Sequence, residues 1–313
     1  MAPSDQALVA LLGALRSSGY QFVTPTPLTH QRVLQQRSGS TAASLRDVFG
    51  WNMPFHATLL APPVLALMQQ AGVLLQQGDT CRSAVRVASM DGQLYLHSSF
   101  PTEAENAVFF GPDTYRFASF LRDSLPPPAQ RQGWRVLDIG CGSGAGGLLA
   151  THLCAGATTT LNDINPLALR YAAINAAAAG VQVDLALGDA LASVAGDFDL
   201  IVSNPPYLVD DTLRAYRHGG DDLGCALSVR IAQEALQRLR PGGWLVLYTG
   251  VAVVEGADPF IAKLMPALDA GHCDWHYREI DPDVFGEELE RPVYRHCDRI
   301  AAVGLLAVNN SAR

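Results

Sequence analysis

Short apolar segments of this chain alternate with helix-like segments, and this alternation constrains the fold more than any other feature. Four of the apolar segments span residues 134–139, 158–161, 181–187 and 198–203. Strands that alternate with helices form a parallel sheet covered by helices. The carboxyl ends of such strands border one ligand crevice. We therefore expect the polar side chains at these ends to lie close together: Asp138, Asp163, Asp189 and Asn204.

The loop after the first of these strands is rich in glycine. Gly142, Gly144 and Gly147 match the pattern G-x-G-x-x-G of dinucleotide-binding proteins. However, Asp138 precedes the loop, where a carboxylate would face an ammonium group rather than a pyrophosphate. S-adenosylmethionine (SAM) carries an amino acid there and no phosphate. The sequence therefore favours SAM over a nicotinamide dinucleotide, with Asp138 and three loop glycines as contacts: Gly140, Gly142 and Gly144.

The next two strand ends extend this cofactor site. Asp163 lies about 20 residues after the glycine loop, where a carboxylate can bind ribose hydroxyls. Asp189 is placed to accept a hydrogen bond from an adenine amino group, and Ile164 and Ala190 are the neighbouring contacts. Taken singly, either aspartate also fits a turn or a helix N-cap. Their shared position at strand ends favours a cofactor role.

The fourth strand ends in Asn204-Pro205-Pro206-Tyr207. The side-chain oxygen of Asn204 and the carbonyl of Pro205 are acceptors that can hold a planar –NH2 group, and Asn204 also borders the cofactor. The ring of Tyr207 can stack on that group, which requires the ring and not the hydroxyl. Prolines fix φ, so these acceptors stay aimed. We predict Asn204, Pro205 and Tyr207 as catalytic, with Pro206 and Tyr207 against the substrate; a Pro-terminated strand with a plain turn is the alternative.

An aromatic segment at 108–117 precedes the first of these strands. It is suited to a lid that excludes water, and we predict Phe110, Thr114 and Tyr115 as substrate contacts and a functional role for Asp113. A helix start with a buried aromatic face is the alternative, and for Phe109 the two are balanced.

These motifs resemble the class I SAM-dependent methyltransferases. Within them, the chain is similar to the branch with the Asn-Pro-Pro-Tyr motif, which includes the release-factor glutamine methyltransferases and enzymes that act on exocyclic amines of adenine or guanine. The resemblance covers roughly residues 106–313 and implies SAM as cofactor, a Rossmann-like seven-stranded α/β sheet and a planar nitrogen as acceptor. Residues 217–224 loosely resemble a loop of the release-factor enzymes but lack the Glu-Pro that usually precedes it. The matching residues are 136–144, 163–166, 188–189, 204–207 and 239–243.

At 313 residues and 49% apolar composition, the chain is long enough for two domains. We predict a mainly helical, winged-helix-like substrate-recognition domain at 1–105 and a catalytic domain at 106–313. The first has expected helices at about 5–17, 27–36, 42–49 and 62–76 and a hairpin of 84–88 with 94–98. The second continues with expected helices at about 226–239 and 258–269, a turn at 240–243, and strands at 244–248, 274–280 and 299–308. Its final hairpin is expected to contain the only antiparallel strand.

Charge and cysteine content limit the partners. The net charge is −8, which disfavours a nucleic-acid partner because such binding depends on phosphate neutralisation. If RNA were bound, Arg82 and Arg86 of the amino-terminal domain would be the expected contacts. Six cysteines without a C-x-x-C pair indicate a reducing, cytoplasmic location. Cys273 and His276, after His272, have a zinc-like spacing, but they fall on an expected strand whose positions three apart face opposite sides, so we predict no metal site.

No apolar run reaches the length of a membrane span, so we expect no membrane partner. The residues favour a SAM-dependent N-methyltransferase that acts on a protein glutamine amide or a similar amide or amine. Two alternatives are an rRNA or tRNA base methyltransferase and a small-molecule methyltransferase of specialised metabolism. A third is a SAM-binding regulatory protein that has lost its chemistry, which the intact Asn204–Tyr207 motif argues against. The oligomeric state stays open.

Overall fold

The amino-terminal part of the protein consists of helices followed by two β-hairpins, in a computed structural model that describes residues 1–270 and 273–311. Its helices are α1 (Pro3–Ser17), α2 (Pro27–Gln36), α3 (Leu45–Phe49) and α4 (Pro62–Gln70). Its hairpins pair β1 (Leu74–Gln77) with β2 (Thr80–Ser83), and β3 (Val85–Met90) with β4 (Gln93–Ser98). The hairpin predicted from residues 84–88 and 94–98 is confirmed as the β3–β4 pair. Asp91 and Gly92 in its turn both have positive φ angles.

The fourth helix is shorter than predicted. It ends at Gln70, and Gly72 follows with φ +70°, a left-handed conformation that ends helices. Residues 74–76, predicted as helix, belong instead to β1, which pairs with β2 as a hairpin that the sequence did not indicate. The winged-helix likeness of this part stays a prediction.

The carboxy-terminal part is built on a seven-stranded sheet within the described residues, in the order β10-β11-β9-β8-β5-β6-β7. The strands β5 to β9 pair in parallel, and β11 is antiparallel to both β9 and β10. The expectation that the final hairpin contains the only antiparallel strand of this sheet is therefore confirmed. The strands are β5 (Arg135–Ile139), β6 (Thr158–Asp163), β7 (Asp184–Leu187), β8 (Phe198–Ser203), β9 (Leu239–Val253), β10 (Cys273–Asp281) and β11 (Arg299–Asn309).

Helices cover both faces of this sheet. One apolar core includes residues of α5 and α6, and the core on the opposite face includes residues of α8 and α9. The predicted turn at 240–243 lies inside β9, where the pairing with β8 shifts register between Phe198 and Leu200. The helices are α5 (Pro112–Ser124), α6 (Ala145–Leu153), α7 (Pro166–Ala179), α8 (Ala226–Leu236) and α9 (Pro259–Ala270).

Helix α7 joins the two parts of the chain. Its residues Ala168, Tyr171 and Ile174 are buried in the same apolar cluster as α1, α3 and the hairpins. The side chain of Asn175 also accepts from the Leu96 amide at 2.8 Å and donates to the Leu96 carbonyl at 3.1 Å. The division into 1–105 and 106–313 stays a prediction, because the core of the first part includes residues of the second.

The connection between β10 and β11 is long and covers the loop that follows β8. Its two short 3-10 turns span Gly286–Glu290 and Pro292–Tyr294. Arg217 forms an ion pair with Glu288, and the Val209 amide donates to the Tyr294 hydroxyl at 2.8 Å. Across the ranges 1–270 and 273–311, each helix is too short or too polar to cross a membrane.

Candidate active site

A cavity lies across the carboxyl ends of β5, β6 and β8. It is lined by most of the residues that the sequence predicts to act: Thr114, Asp138, Gly140, Gly142, Asp163, Ile164, Asp189, Ala190, Asn204, Pro205, Pro206 and Tyr207. Three predicted residues do not border it: Phe110, Gly144 and Tyr115.

Asp138, near the end of β5, holds the first turn of α6. Its Oδ2 accepts a hydrogen bond from the Gly147 amide at 2.6 Å. Burial raises the pKa of Asp138 to about 7, the Gly147 amide opposes this rise, and Asp163 adds to it. An ammonium group bound beside Asp138 would favour its charged form. The site thus suits the predicted role of Asp138 as the partner of a ligand amine.

The glycine loop leaves open space next to Asp138. Gly140 and Gly142 have φ angles of +67° and +53°, which other residues rarely adopt. A Cβ at either position would meet no atom within 4 Å. Gly144 differs, because a Cβ there would lie 3.2 Å from the Cβ of Ala172 in α7. Gly144 therefore allows the loop to pack on α7, and its predicted contact with the cofactor is corrected.

Asp163, at the end of β6, accepts hydrogen bonds from backbone amides. Its Oδ2 accepts from Gly142 and its Oδ1 from Asn165, both at 2.8 Å. Burial raises its pKa, and the hydrogen bonds from the Asn165, Gly142 and Ile164 amides oppose the rise. The two carboxylate oxygens offer about four lone pairs, so a ribose hydroxyl can still be bound. The adjoining Ile164 is 60% exposed and gives the cavity an apolar wall that suits a flat base.

Asp189 borders the cavity but already has a partner. Its two oxygens accept from the Arg230 guanidinium at 2.7 and 3.1 Å. The sequence did not indicate this ion pair, and contact with an adenine amino group stays a prediction. The adjoining Ala190 has φ +45°, and single residues held in this region cluster at ligand sites.

Asn204 follows the last residue of β8 and has an unengaged side chain. The hydroxyl of Ser203 donates to the Ile139 carbonyl at 2.8 Å, which ties the end of β8 to β5. The Asn204 amide borders the cavity and makes no hydrogen bond to any residue in the described ranges. Pro205 is buried and Pro206 is half-buried behind it. The Asn204 oxygen is therefore available to a group in the cavity.

The Tyr207 side chain is fixed at both ends. Its hydroxyl donates to Asp113 Oδ2 at 2.6 Å, and its ring lies so close to Gly250 that a Cβ there would be 2.2 Å from two ring carbons. No role for this hydroxyl was predicted from the sequence. Although Tyr207 is only 8% exposed, it lines the cavity together with Asp113 and Phe285.

The loop at 217–224 packs against the backbone of the Asn-Pro-Pro-Tyr motif. A Cβ at Gly219 would lie 2.8 Å from the Pro206 carbonyl oxygen, and one at Gly224 would lie 2.2 Å from the Tyr207 carbonyl oxygen. Gly224 also has φ +94°. These two glycines let the loop support the motif from behind.

The lid segment contributes different aromatics from those predicted. Phe110 is fully buried and its ring packs 5.4 Å from that of Tyr115. The Tyr115 hydroxyl accepts from the Thr24 amide at 3.1 Å, so Tyr115 faces the amino-terminal part. Phe109 instead borders the cavity and stacks on Tyr216 with ring centroids 5.5 Å apart. Phe110 and Tyr115 are therefore removed from the candidate substrate contacts.

Part of the chain is similar to proteins of known family. Residues 105–253 match the family model of the methyltransferase small domain. This part of the chain is similar to the methyltransferase small domain. A release factor glutamine methyltransferase of Cereibacter sphaeroides is 36% identical over 182 residues, which cover 47% of this chain and 64% of the relative. A ribosomal RNA small subunit methyltransferase C of Hahella chejuensis is 35% identical over 127 residues, which cover 41% of this chain and 33% of the relative.

The matches leave part of each relative uncovered. Three release factor glutamine methyltransferases are covered over 55%, 64% and 55% of their own lengths. Among solved structures, Trm5b from Pyrococcus abyssi has a TM-score of 0.50 at 16% identity, over 75% of this chain and 62% of that one. The likeness is one of fold alone. Together with the family match it confirms the predicted class I methyltransferase fold.

Cavity residues also come from outside residues 105–253. Phe285, in the β10–β11 connection, lies with its ring centroid 6.2 Å from that of Tyr207 and has φ +52°. The sequence did not single out Phe285 or Tyr216, since neither carries a local motif. Pro27, at the start of α2, also borders the cavity, so the amino-terminal part reaches the site.

The zinc-like spacing near residue 273 falls largely on β10, as predicted. Cys273 and His276 both lie on this strand, and His272 lies outside the described residues. Among the residues that the structure describes, no three metal-ligating side chains come together.

Proposed function

We propose that the protein is a SAM-dependent N-methyltransferase whose acceptor is a planar nitrogen, with the side-chain amide of a protein glutamine as the preferred candidate. The observation that carries the proposal is Asn204, which borders a cavity shared with Asp138 and Asp163 and whose amide is unengaged within residues 1–270 and 273–311. The methyltransferase small domain and the release factor relatives support the same conclusion. A cytoplasmic location belongs to the proposal and is supported by the cysteine spacing.

The carboxylates that line the cavity fit SAM better than a phosphate-bearing cofactor. Two buried carboxylates, Asp138 and Asp163, face the cavity and would repel a pyrophosphate, whereas they suit an ammonium group and a pair of hydroxyls. Asp138 would hold the amino acid end and Asp163 the ribose, while Ile164 would pack on the base. When bound, SAM supplies an electrophilic methyl group. The protein contributes position and a dry site.

At the acceptor end, the chain holds the nitrogen. The Asn204 oxygen and the Pro205 carbonyl would accept the two N–H groups of the acceptor, which leaves the nitrogen lone pair directed into the cavity. The Tyr207 ring would stack on the planar group, with Phe285 beside it. An amide lone pair is delocalised, so alignment by two fixed acceptors matters more for an amide than for an amine.

An rRNA base is the second candidate, since one set of relatives is named for ribosomal RNA. Two observations weigh against it. The net charge is −8, and the hairpin arginines are occupied: Arg82 donates to the carbonyls of Asn52 and Phe100, and the 2%-exposed Arg86 donates to the Ser98 carbonyl. Arg86 is therefore out of reach of a phosphate, and two donor groups of Arg82 are already engaged.

The test is to incubate the protein with methyl-labelled SAM and two acceptors in parallel: a recombinant bacterial release factor, and small-subunit rRNA. Mass spectrometry of the digests locates the label. We expect label on a glutamine of the release factor and none on rRNA, with the Asn204→Ala protein as matched control. Label confined to rRNA would overturn the choice of acceptor. Absence of SAM binding by calorimetry would overturn the whole proposal.

A further inference from the structure

Asp113, in the first turn of α5, contacts two tyrosines, one in the segment after β8 and one in β9. Its Oδ2 accepts from the Tyr207 hydroxyl at 2.6 Å and its Oδ1 from the Tyr248 hydroxyl at 2.7 Å. Arg116 approaches Oδ1 at 3.4 Å and reaches Asp281 at 2.8 Å. Asp113 is 6% exposed and itself borders the cavity. A buried carboxylate is costly without such partners, so Asp113 holds the two hydroxyl groups close to it.

The protonation states of Asp113 and Tyr207 favour a lasting hydrogen bond between them. Burial raises the pKa of Asp113, while the bonds from Tyr207, Tyr248 and Arg116 favour its ionised form. Burial also raises the pKa of Tyr207, so its hydroxyl keeps its proton and remains the donor. Hydrogen bonds to an ionised acceptor are about twice as strong as neutral ones.

The hydroxyl bond is one of several contacts that determine where the Tyr207 ring lies. The Gly250 backbone touches the ring, and Phe285 packs at 56° to it. Removal of the Asp113 contact would leave the hydroxyl end of the ring without its fixed point. The ring could then tilt toward the cavity, where a planar acceptor must stack.

We propose that Asp113 is a positioning residue, which acts through the Tyr207 hydroxyl to set the plane of the ring against which the acceptor nitrogen is aligned. The inference deepens the proposed function, because it rests on Tyr207 as the stacking residue. It assigns a role in turnover to a hydroxyl that does no chemistry itself.

The kinetic test compares Tyr207→Phe, Asp113→Asn and the double variant, with a recombinant bacterial release factor as acceptor. Each single variant is expected to lower kcat by about tenfold or more, because small misplacements of aligned groups cost that much. The double variant should be no slower than the slower single variant, within about twofold, since both changes remove one interaction. The affinity for S-adenosylhomocysteine should change by less than about threefold, because neither residue is among the cofactor contacts.

Tyr277→Phe is the matched control. The Tyr277 hydroxyl donates to Asp258, a pair of the same kind between β10 and α9. Its loss should lower stability comparably while kcat stays unchanged. Wild-type kcat for Tyr207→Phe, or losses that multiply in the double variant, would overturn the inference.

A second readout needs no acceptor. In protein labelled with carbon-13 at the tyrosine ζ carbon, the Tyr207 signal is assigned by its loss in Tyr207→Phe. Asp113→Asn should move the Tyr207 signal and leave that of Tyr277 in place. An unmoved Tyr207 signal would overturn the inference even if methylation occurs. A moved signal in a protein that fails to methylate the release factor would instead count against the proposed acceptor alone.

Discussion

Asn204 is the residue on which the proposed chemistry most depends, because it borders the cavity and its amide makes no hydrogen bond to any described residue. Asn204→Ala removes the acceptor oxygen and leaves the carboxylates that fit SAM untouched. We expect kcat to fall about 100-fold or more, since alignment of the reacting nitrogen is lost. Initial rates at saturating SAM measure kcat, and calorimetry measures the affinity for SAM. The exposed Asn310→Ala is the control, and an equal loss of SAM affinity would contradict the assignment.

His30, in α2, makes stability depend on pH. It is fully buried, its Nε2 lies 3.0 Å from the Trp51 carbonyl, and its ring stacks on Phe100 at 4.1 Å. Burial lowers the pKa of His30 from 6.5 to about 4; Arg86 lowers it further and the Trp51 carbonyl opposes the shift. Between these two values the unfolded chain binds a proton that the folded protein does not. The contribution of His30 is therefore complete above pH 6.5 and is lost as the pH falls toward 4.

The prediction compares His30→Gln with the wild type. From pH 7 to pH 5, the free energy of unfolding of the variant should fall by about 2 kcal/mol less than that of the wild type. Urea unfolding at the two pH values measures the difference, in which the other titrating groups cancel. The exposed His56→Gln should behave as wild type. Equal losses in wild type and His30→Gln would refute the assignment.

Candidate site residues could be recognised from the sequence where the pattern that marks them is local. Asn204 and Tyr207 lie within one tetrapeptide, so their motif was visible. The partner of the Tyr207 hydroxyl, Asp113, is 94 positions away, and a contact across that distance depends on how α5 packs. Phe109 and Phe110 are adjacent and equally apolar, so only the backbone direction decided which of them faces the cavity.

Among the elements, β9 determines where the Tyr207 ring can lie. Gly250 lies on this strand against the ring, and its φ is not in the left-handed region, so alanine is permitted by the backbone. Gly250→Ala should push the ring into the cavity and lower kcat by about tenfold or more. Overpacking should also lower the free energy of unfolding by about 1–3 kcal/mol. Rates and urea unfolding measure the two effects.

Gly304→Ala in β11 is the matched control for Gly250→Ala. A Cβ there would lie 2.5 Å from the Phe120 ring, a similar clash on the same sheet but away from the cavity. It should lower stability to a similar extent without changing kcat. If both variants lost activity in proportion to stability, the effect at Gly250 would be one of folding and not of ring position.

The boundaries of the elements were predicted best where caps are strong. Helix α2 begins and ends where expected, with Pro27 in its first turn and Thr26 as its N-cap. The hairpin of β1 and β2 was missed because residues 62–76 keep an apolar pattern that suits a helix. Only Gly72 indicated the break, and a single glycine within a helical pattern is a weak signal.

The molecule as a whole shares one core between parts that the sequence separated. Composition and motifs placed a boundary near residue 105, because all cofactor motifs follow it. No local pattern could show that one face of α7 is buried against the amino-terminal helices, since an alanine-rich helix gives little indication of its partner. Asn175 also donates to the Ser143 carbonyl at 2.9 Å, which links the β4 hairpin to the glycine loop.

This shared core predicts that the two parts unfold together. Ile174 of α7 is 1% exposed within the amino-terminal cluster, and Ile174→Ala should lower the free energy of unfolding by about 2–5 kcal/mol. Hydrogen exchange with mass spectrometry can follow the β3–β4 hairpin and the β5–β8 strands separately. Both should lose the same protection, because neither part keeps a complete core without α7 in place. The exposed Leu213→Ala should leave both unchanged. Loss confined to the hairpin would mean that residues 1–105 open as an independent domain.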